Sequence, residues 1–433
     1  MGTPAARIGL DPPNCWMIPK LLRSPHCAWL LLVALHGILA VRALRNAPTT
    51  DFQIYWDTAR TLGEGGTLFG GGEPHHELFL YGPIFAICFR PLAMLDAASA
   101  HVWWTVVGLL ALGASGLLLR DAMKRQSARQ GATDSPWPIA LGMLVLTEPL
   151  ISNFRYGNTN TLLVWFLVVG FWGLLRGRRF LAGTAFAMAA VIKVTPILLL
   201  PWLLLRREWR ATAGFVLGLV LFVGVAPGLY LGPERMFTET FAWIHAILLP
   251  AMGQTDEAPA ILTRAGASLP RALSAILAAV PEGAESSPIQ IASWSTSVVR
   301  GIGTGLALLM LASLLLLTRA PRGDDQPSRL DVSCALVIAT PALVSPTSHL
   351  GHFLQLLPLL VVLAHRTMPG AESQTRAKST LIVGVGTCIL LYGLAIARGW
   401  SGNALFPVTV LNLILWIGGM SIVAHETDAV HDT

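Results

Sequence analysis

Asp51 opens the stretch Asp51-Phe52-Gln53-Ile54-Tyr55-Trp56, which follows the first apolar run directly and heads a Gly-rich polar loop reaching Gly72. A carboxylate held just outside a membrane span can take a proton from a hydroxyl of a lipid-anchored substrate. Asp51 is therefore the candidate general base. Helix capping competes with that role, because Asp is a favoured N-cap and Thr49 or Thr50 stands ready to share the task. Tyr55, Trp56 and Tyr81 fit either an interfacial aromatic belt or contacts to a substrate.

Four other places carry polar chemistry in apolar surroundings. Lys193 lies in Ala189-Ala190-Val191-Ile192-Lys193-Val194-Thr195-Pro196, and an ionisable group within a membrane segment points to function unless it snorkels to a headgroup. Arg155 falls between two apolar runs, away from the other basic loops, and calls for an anion such as a lipid phosphate. Asn158 and Asn160 follow it, either as turn and cap residues or as amide partners for sugar hydroxyls. His349 and His352, three apart at the start of a long span, are spaced to share a helix face, either donating to a phosphate or sitting at a membrane edge, both ahead of a metal site. Glu73, His75, His76 and Glu77 resemble a metal cluster, but a solvated loop explains them equally well and no Asp-x-Asp pair accompanies them. No metal or other cofactor is expected.

These residues need a membrane bundle to position them. Of 433 residues only 12% are charged and 54% are hydrophobic, and the mean hydropathy is +0.61, against roughly 25% charged in a soluble domain. Repeated apolar runs of about 20 residues imply helical spans. The expected architecture is an all-α integral membrane protein of about 10–12 spans, short or re-entrant helices included, with amphipathic helices in its external loops. The formal charge of +6 comes mostly from Arg clusters between the runs; that is a cytoplasmic-loop pattern and needs no nucleic acid to explain it. Five scattered cysteines, with Cys88 and Cys388 in apolar runs, give neither a disulfide framework nor a zinc site.

Six basic clusters are assigned to the cytoplasm: the N-terminal segment 1–26, 120–129, 176–179, 206–210, 319–329 and 366–378. The opposite face receives the first external loop 45–78, the turn 153–160, a long segment 227–300, residues 345–352 and 398–403, while 425–433 form a cytoplasmic tail. The first apolar run is read as an uncleaved span rather than a signal peptide. Residues 79–95 make a short or re-entrant helix. Residues 181–205 make two short helices of about 18 Å each, with Lys193 to Pro196 at the tip. The whole chain reads as one membrane domain.

Taken in order, several of these stretches resemble glycosyltransferase family 87 of the C-type superfamily. The chain is similar to the family in Asp51 to Tyr55 (Asp-x-x-x-Tyr) and in Tyr81-Gly82-Pro83 (Tyr-Pro-Pro). It is also similar in Gly157 to Leu163 (Gly-Gln-x-Asn-x-Leu-Leu), in Lys193 to Pro196 (Lys-x-Thr-Pro), and in Ser345 to His352 (Ser-Pro-x-Ser-Trp-x-x-His). Asn158 stands for the family's Gln, Gly82 for its first Pro and His349 for its Trp. Gly266-Ala267-Ser268-Leu269 is the remnant of a Gly-Asn-Gln-Ser-Leu stretch. The resemblance implies a metal-independent, inverting transfer of a hexosyl group, mannosyl in the first instance, from a polyprenyl-phosphate sugar to a lipid or glycan acceptor. Asp51 would be the base, and His352 the preferred partner of the leaving phosphate, with Arg155, Lys193 and His349 as further donors. The expected location is a bacterial inner membrane with the site facing the periplasm. A transporter or lipid-linked sugar flippase with a midplane polar site is the alternative, since broken helices and an intramembrane Lys suit it too. Against it, no internal repeat is visible.

Overall fold

The computed structural model describes residues 24–45, 50–69, 79–130, 134–245, 267–279, 290–319, 327–345, 348–367, 374–398 and 406–431. The possible metal loop at Glu73 to Glu77, together with Pro346 and Thr347, lies outside these residues. The described residues form helices and no strand. The molecule is an all-α polytopic membrane protein. Six described helices are long and apolar enough to cross a bilayer, and the pair at 137–156 makes a seventh if it counts as one span. Any further passes toward the expected ten to twelve would have to come from shorter apolar helices such as Pro83–Ala93, Asn160–Leu175 and Leu330–Val344.

The first helix, α1 (Pro25–Arg45), packs against α4 (Ala97–Gln130), α5 (Trp137–Val145) and α6 (Thr147–Tyr156). Between α1 and α4 come α2 (Thr50–Gly63) and α3 (Pro83–Ala93), which pack on one another. Eleven residues span about 16 Å as helix, so α3 is the expected short element. A 63° bend separates α5 from α6. Pro149, inside the first turn of α6, has no N–H to continue the ladder back into α5. Helix α7 (Asn160–Leu175) packs on α8 (Arg179–Ile192), which breaks at Lys193 into a 3-10 turn (Thr195–Leu198) and α9 (Leu199–Leu205), as the sequence suggests.

Helix α8 also packs along α10 (Trp209–Leu219). A Cβ on Gly183 would run into the Ala211 carbonyl and one on Gly214 into the Phe180 carbonyl. A Cβ on Gly218 would lie 2.7 Å from the Ala187 methyl. Small residues four apart on both helices let the backbones touch, which is how helices associate in lipid. A π turn (Val220–Val225) follows α10 immediately before Pro227, and α11 (Ala226–Leu231) then completes a span over Trp209–Leu231. The apolar helical stretch thus runs on past Pro227 to Leu231. The amphipathic pieces follow as α12 (Pro233–Trp243) and α13 (Leu269–Leu277), and α14 (Thr296–Thr318) is the next span. Helix α15 (Pro327–Val344), a 3-10 segment (Leu350–Leu356) with α16 (Leu357–Arg366), α17 (Gln374–Ala397) and α18 (Pro407–His431) complete the bundle.

Polar links gather five of the basic clusters at one end. Arg176 pairs with Asp121, and Arg179 with Glu208 at 2.9 Å. Arg206 donates to the Thr318 carbonyl at 2.8 Å, and Arg366 pairs with the fully buried Asp331 at 2.9 Å. Helix α7 puts about 24 Å between that end and Asn160.

Candidate active site

Four separate elements bring their polar residues together at the other end of α7 and α8. Asp51 sits in the first turn of α2, so it is part of the helix rather than a residue standing before it. Helix α6 runs through Asn153 and Arg155 to Tyr156, leaving Gly157-Asn158-Thr159 as the actual turn. Gly157 holds φ 66° there, a left-handed conformation that glycine adopts without steric cost. The Trp104 indole donates to its carbonyl at 2.7 Å.

From this turn a continuous chain of contacts runs across the site. The Asn158 amide donates to Asp51 Oδ2 at 2.6 Å. Asn160 donates to Asn158 Oδ1 at 3.2 Å and accepts from Lys193 Nζ at 3.2 Å. Lys193 Nζ also touches His352 Nε2. The His349 backbone N–H donates to His352 Nδ1 at 3.3 Å, and the two imidazole rings lie 5.5 Å apart, edge to face. Lys193 reaches this place because α8 ends there in extended backbone (φ −147°, ψ 126°). His352 reaches it because the segment enters as a 3-10 helix, in which positions three apart eclipse.

Burial pushes the Asp51 carboxyl above the usual carboxylate range, while the Lys193 charge and the Asn158 hydrogen bond pull it back. A carboxylate in that setting is a stronger base than a solvated one.

Tyr55 and Tyr81 lie beside the chain. Their hydroxyls bond to each other at 2.8 Å, and Thr159 donates to Tyr81 at 3.3 Å. Both are buried; Tyr81 stacks on Phe85 at 4.6 Å, and Tyr55 meets Phe85, Phe89 and Trp104 edge-on. This cluster ties α2 to α3, α4 and the turn. Arg155 stands apart: it is exposed, with its guanidinium 5.7 Å over the Tyr156 ring. The Ser348 carbonyl accepts from the Ala267 N–H at 2.6 Å, which places residues 267–269 against the histidine motif.

Three contributors go unmarked in the sequence reading. Trp104 is one more aromatic in an apolar run. Gly351 lies within the histidine motif, and a Cβ there would come within 2.7 Å of Asn160 Nδ2. Helix α12 grips the chain between α2 and α3, with buried Glu239 accepting from the Leu68 N–H at 3.0 Å, Arg235 donating to the Gly66 carbonyl and Trp243 donating to Leu80 O at 3.2 Å. Its i, i+4 acid–base spacing was the available signal.

These groups make a candidate site for a membrane enzyme: a half-buried carboxylate, carbonyl and amide groups, and two basic side chains at one end of a helical bundle. Residues 79–346 match the model of glycosyltransferase family 87, more than half of the chain, and the protein belongs to that family. The match takes in Tyr81, the 157–160 turn and Lys193, while Asp51 and Tyr55 precede it and His349 and His352 follow it. Among curated relatives, the chain is 27% identical over 354 residues to a polyprenol-phosphate-mannose-dependent alpha-(1-2)-phosphatidylinositol mannoside mannosyltransferase of Mycobacterium tuberculosis, covering 77% of this chain and 75% of the relative. It is 30% identical over 378 residues to a polyprenol-phosphate-mannose-dependent alpha-(1-2)-phosphatidylinositol pentamannoside mannosyltransferase of Mycolicibacterium smegmatis, covering 84% and 82%. An alpha-(1->3)-arabinofuranosyltransferase of Corynebacterium glutamicum is 27% identical over 224 residues, about half of each chain. The protein is thus a membrane glycosyltransferase, as its motifs imply, and the transporter alternative gains no support.

Proposed function

We propose that the protein transfers a hexosyl group, mannosyl in the first instance, from a polyprenyl-phosphate sugar to a glycolipid or glycan acceptor, inverting the anomeric centre without a metal. The chain of contacts from Asp51 to His352 carries this reading, because it sets a base and two phosphate-binding groups at opposite ends of one constellation. Asp51 takes the acceptor proton as the acceptor oxygen attacks the anomeric carbon. The bond to the phosphate oxygen breaks, and the leaving group departs as a charged monoester.

His352 and Lys193 suit that phosphate. With His352 Nδ1 accepting from the His349 amide, the neutral ring carries its proton on Nε2, against the Lys193 ammonium. Two N–H donors side by side call for a shared acceptor, and a phosphate oxygen supplies it. His349 adds a further donor at the same edge. Arg155 suits the anionic headgroup better than the reacting phosphate, since it is exposed and lies outside the chain. Asn158, half-buried, retains an edge for a sugar hydroxyl. The basic end is assigned to the cytoplasm and the site to the external face, the periplasmic side of an inner membrane.

The test is sugar transfer in proteoliposomes, with radiolabelled polyprenyl-phosphate mannose and, in parallel, polyprenyl-phosphate arabinofuranose. Mannose in a glycolipid product supports the reading. Transfer of arabinofuranose alone would overturn the choice of sugar, and carrier crossing the bilayer without transfer would overturn the reaction.

A further inference from the structure

We propose that Asn160 is a positioning residue that fixes the direction of a one-way hydrogen-bond chain running from Lys193 to Asp51. Asn160 is fully buried. Its carbonyl accepts from Lys193 and its amide donates to the Asn158 carbonyl, which leaves the Asn158 amide facing Asp51. A side-chain amide can be turned end for end, so two amides in series have no intrinsic direction. An ammonium only donates and a carboxylate only accepts, and these two ends orient both amides between them. The 3-10 segment closes over Asn160, with room at Gly351 for no more than a hydrogen. A substrate therefore meets Asn158 and not Asn160. Without Asn160, Asn158 is free to turn its carbonyl toward Asp51, and the carboxylate loses its donor.

The groups facing Asp51 are Asn158 from the turn, Lys193 from the end of α8, Tyr55 from its own helix and Tyr81 from the approach to α3. Asn160→Leu changes none of their charges, so its effect on Asp51 must pass through the hydrogen bonds. The effect on rate rests on Asp51 being the base; the effect on titration does not. Infrared difference spectra of the purified full chain against Asp51→Asn, in the wild-type and Asn160→Leu backgrounds, follow the Asp51 carboxyl through pH. The midpoint should rise by about one pH unit in Asn160→Leu, with the acid limb of kcat/KM moving alongside it. Asn160→Ala, which adds no branch to the closed site, is read in the same way should the Leu variant misfold. An unmoved midpoint in a folded variant overturns the proposal, even where Asp51→Asn is inactive. A shifted midpoint with an active Asp51→Asn supports the chain and overturns the base.

Discussion

His352 and Asp51 play different parts, and substitutions should separate them. His352→Ala removes a donor whose phosphate partner gains charge as the sugar leaves. Both donor affinity and transfer rate should fall, by about tenfold or more in rate for one lost charge-assisted bond; donor binding and turnover measured together will show it, and loss of neither would remove His352 from the phosphate. Asp51 must be ionised to accept a proton, and burial raises its pKa above the ordinary carboxylate range. The active form is thus lost as pH falls through that raised value. The acid limb of kcat/KM should lie above the ordinary Asp range, and a profile flat down to about pH 4 would contradict it. Asp51, Lys193 and His352 were legible as ionisable groups at or within apolar runs, and Asn158, Asn160 and His349 from the motifs that hold them. Their bonding order was not, since it depends on rotamers and on backbone breaks at residues 157 and 193. Arg155 was legible from charge placement, yet the same rule says nothing about which way its side chain turns.

At the level of elements, α8 delivers Lys193 to the site only while it seats closely on α10. Gly183 and Gly214 permit that seating, because any side chain there meets backbone rather than a movable group. Gly183→Val should force the helices apart at about 1–3 kcal/mol or more. Thermal unfolding in detergent should show a lower midpoint, and sugar transfer should drop in the protein that still folds. An unchanged midpoint would mean that the pair tolerates separation. The short helices at 79–95 and 181–205 could be read in the sequence, since their apolar runs are too short for a bilayer. The 63° break before α6 was missed, although Pro149 was its mark. The π turn ahead of Pro227 was missed for a similar reason: hydropathy reports the length of a span and not its winding.

For the whole molecule, ion pairs and hydrogen bonds join the clusters around Arg120, Arg176, Arg206, Arg319 and Arg366 at one end. Arginines between spans are sorted by side during insertion, which is the basis for expecting these clusters on one face. If that end is cytoplasmic, cysteines placed singly beside Asn158 and His352 in an otherwise Cys-free chain should react with an impermeant thiol reagent from outside. Labelling only after permeabilisation would invert the molecule. The transfer should also persist in EDTA, because the departing phosphate already carries charge and His352 and Lys193 can meet it. Activity lost to the chelator and restored by magnesium or manganese would require a metal in the reaction.

Asp51→Asn separates a general base from a residue that only caps its helix. The amide has nearly the same shape, and it can still occupy the first turn of α2, so folding and donor affinity should stay close to wild type. As general base the carboxylate should contribute about 10²–10⁴-fold to the transfer rate. Rate and donor affinity measured for wild type and Asp51→Asn in the same detergent should show that loss in rate alone. A variant that keeps more than about a tenth of the wild-type rate would contradict the assignment.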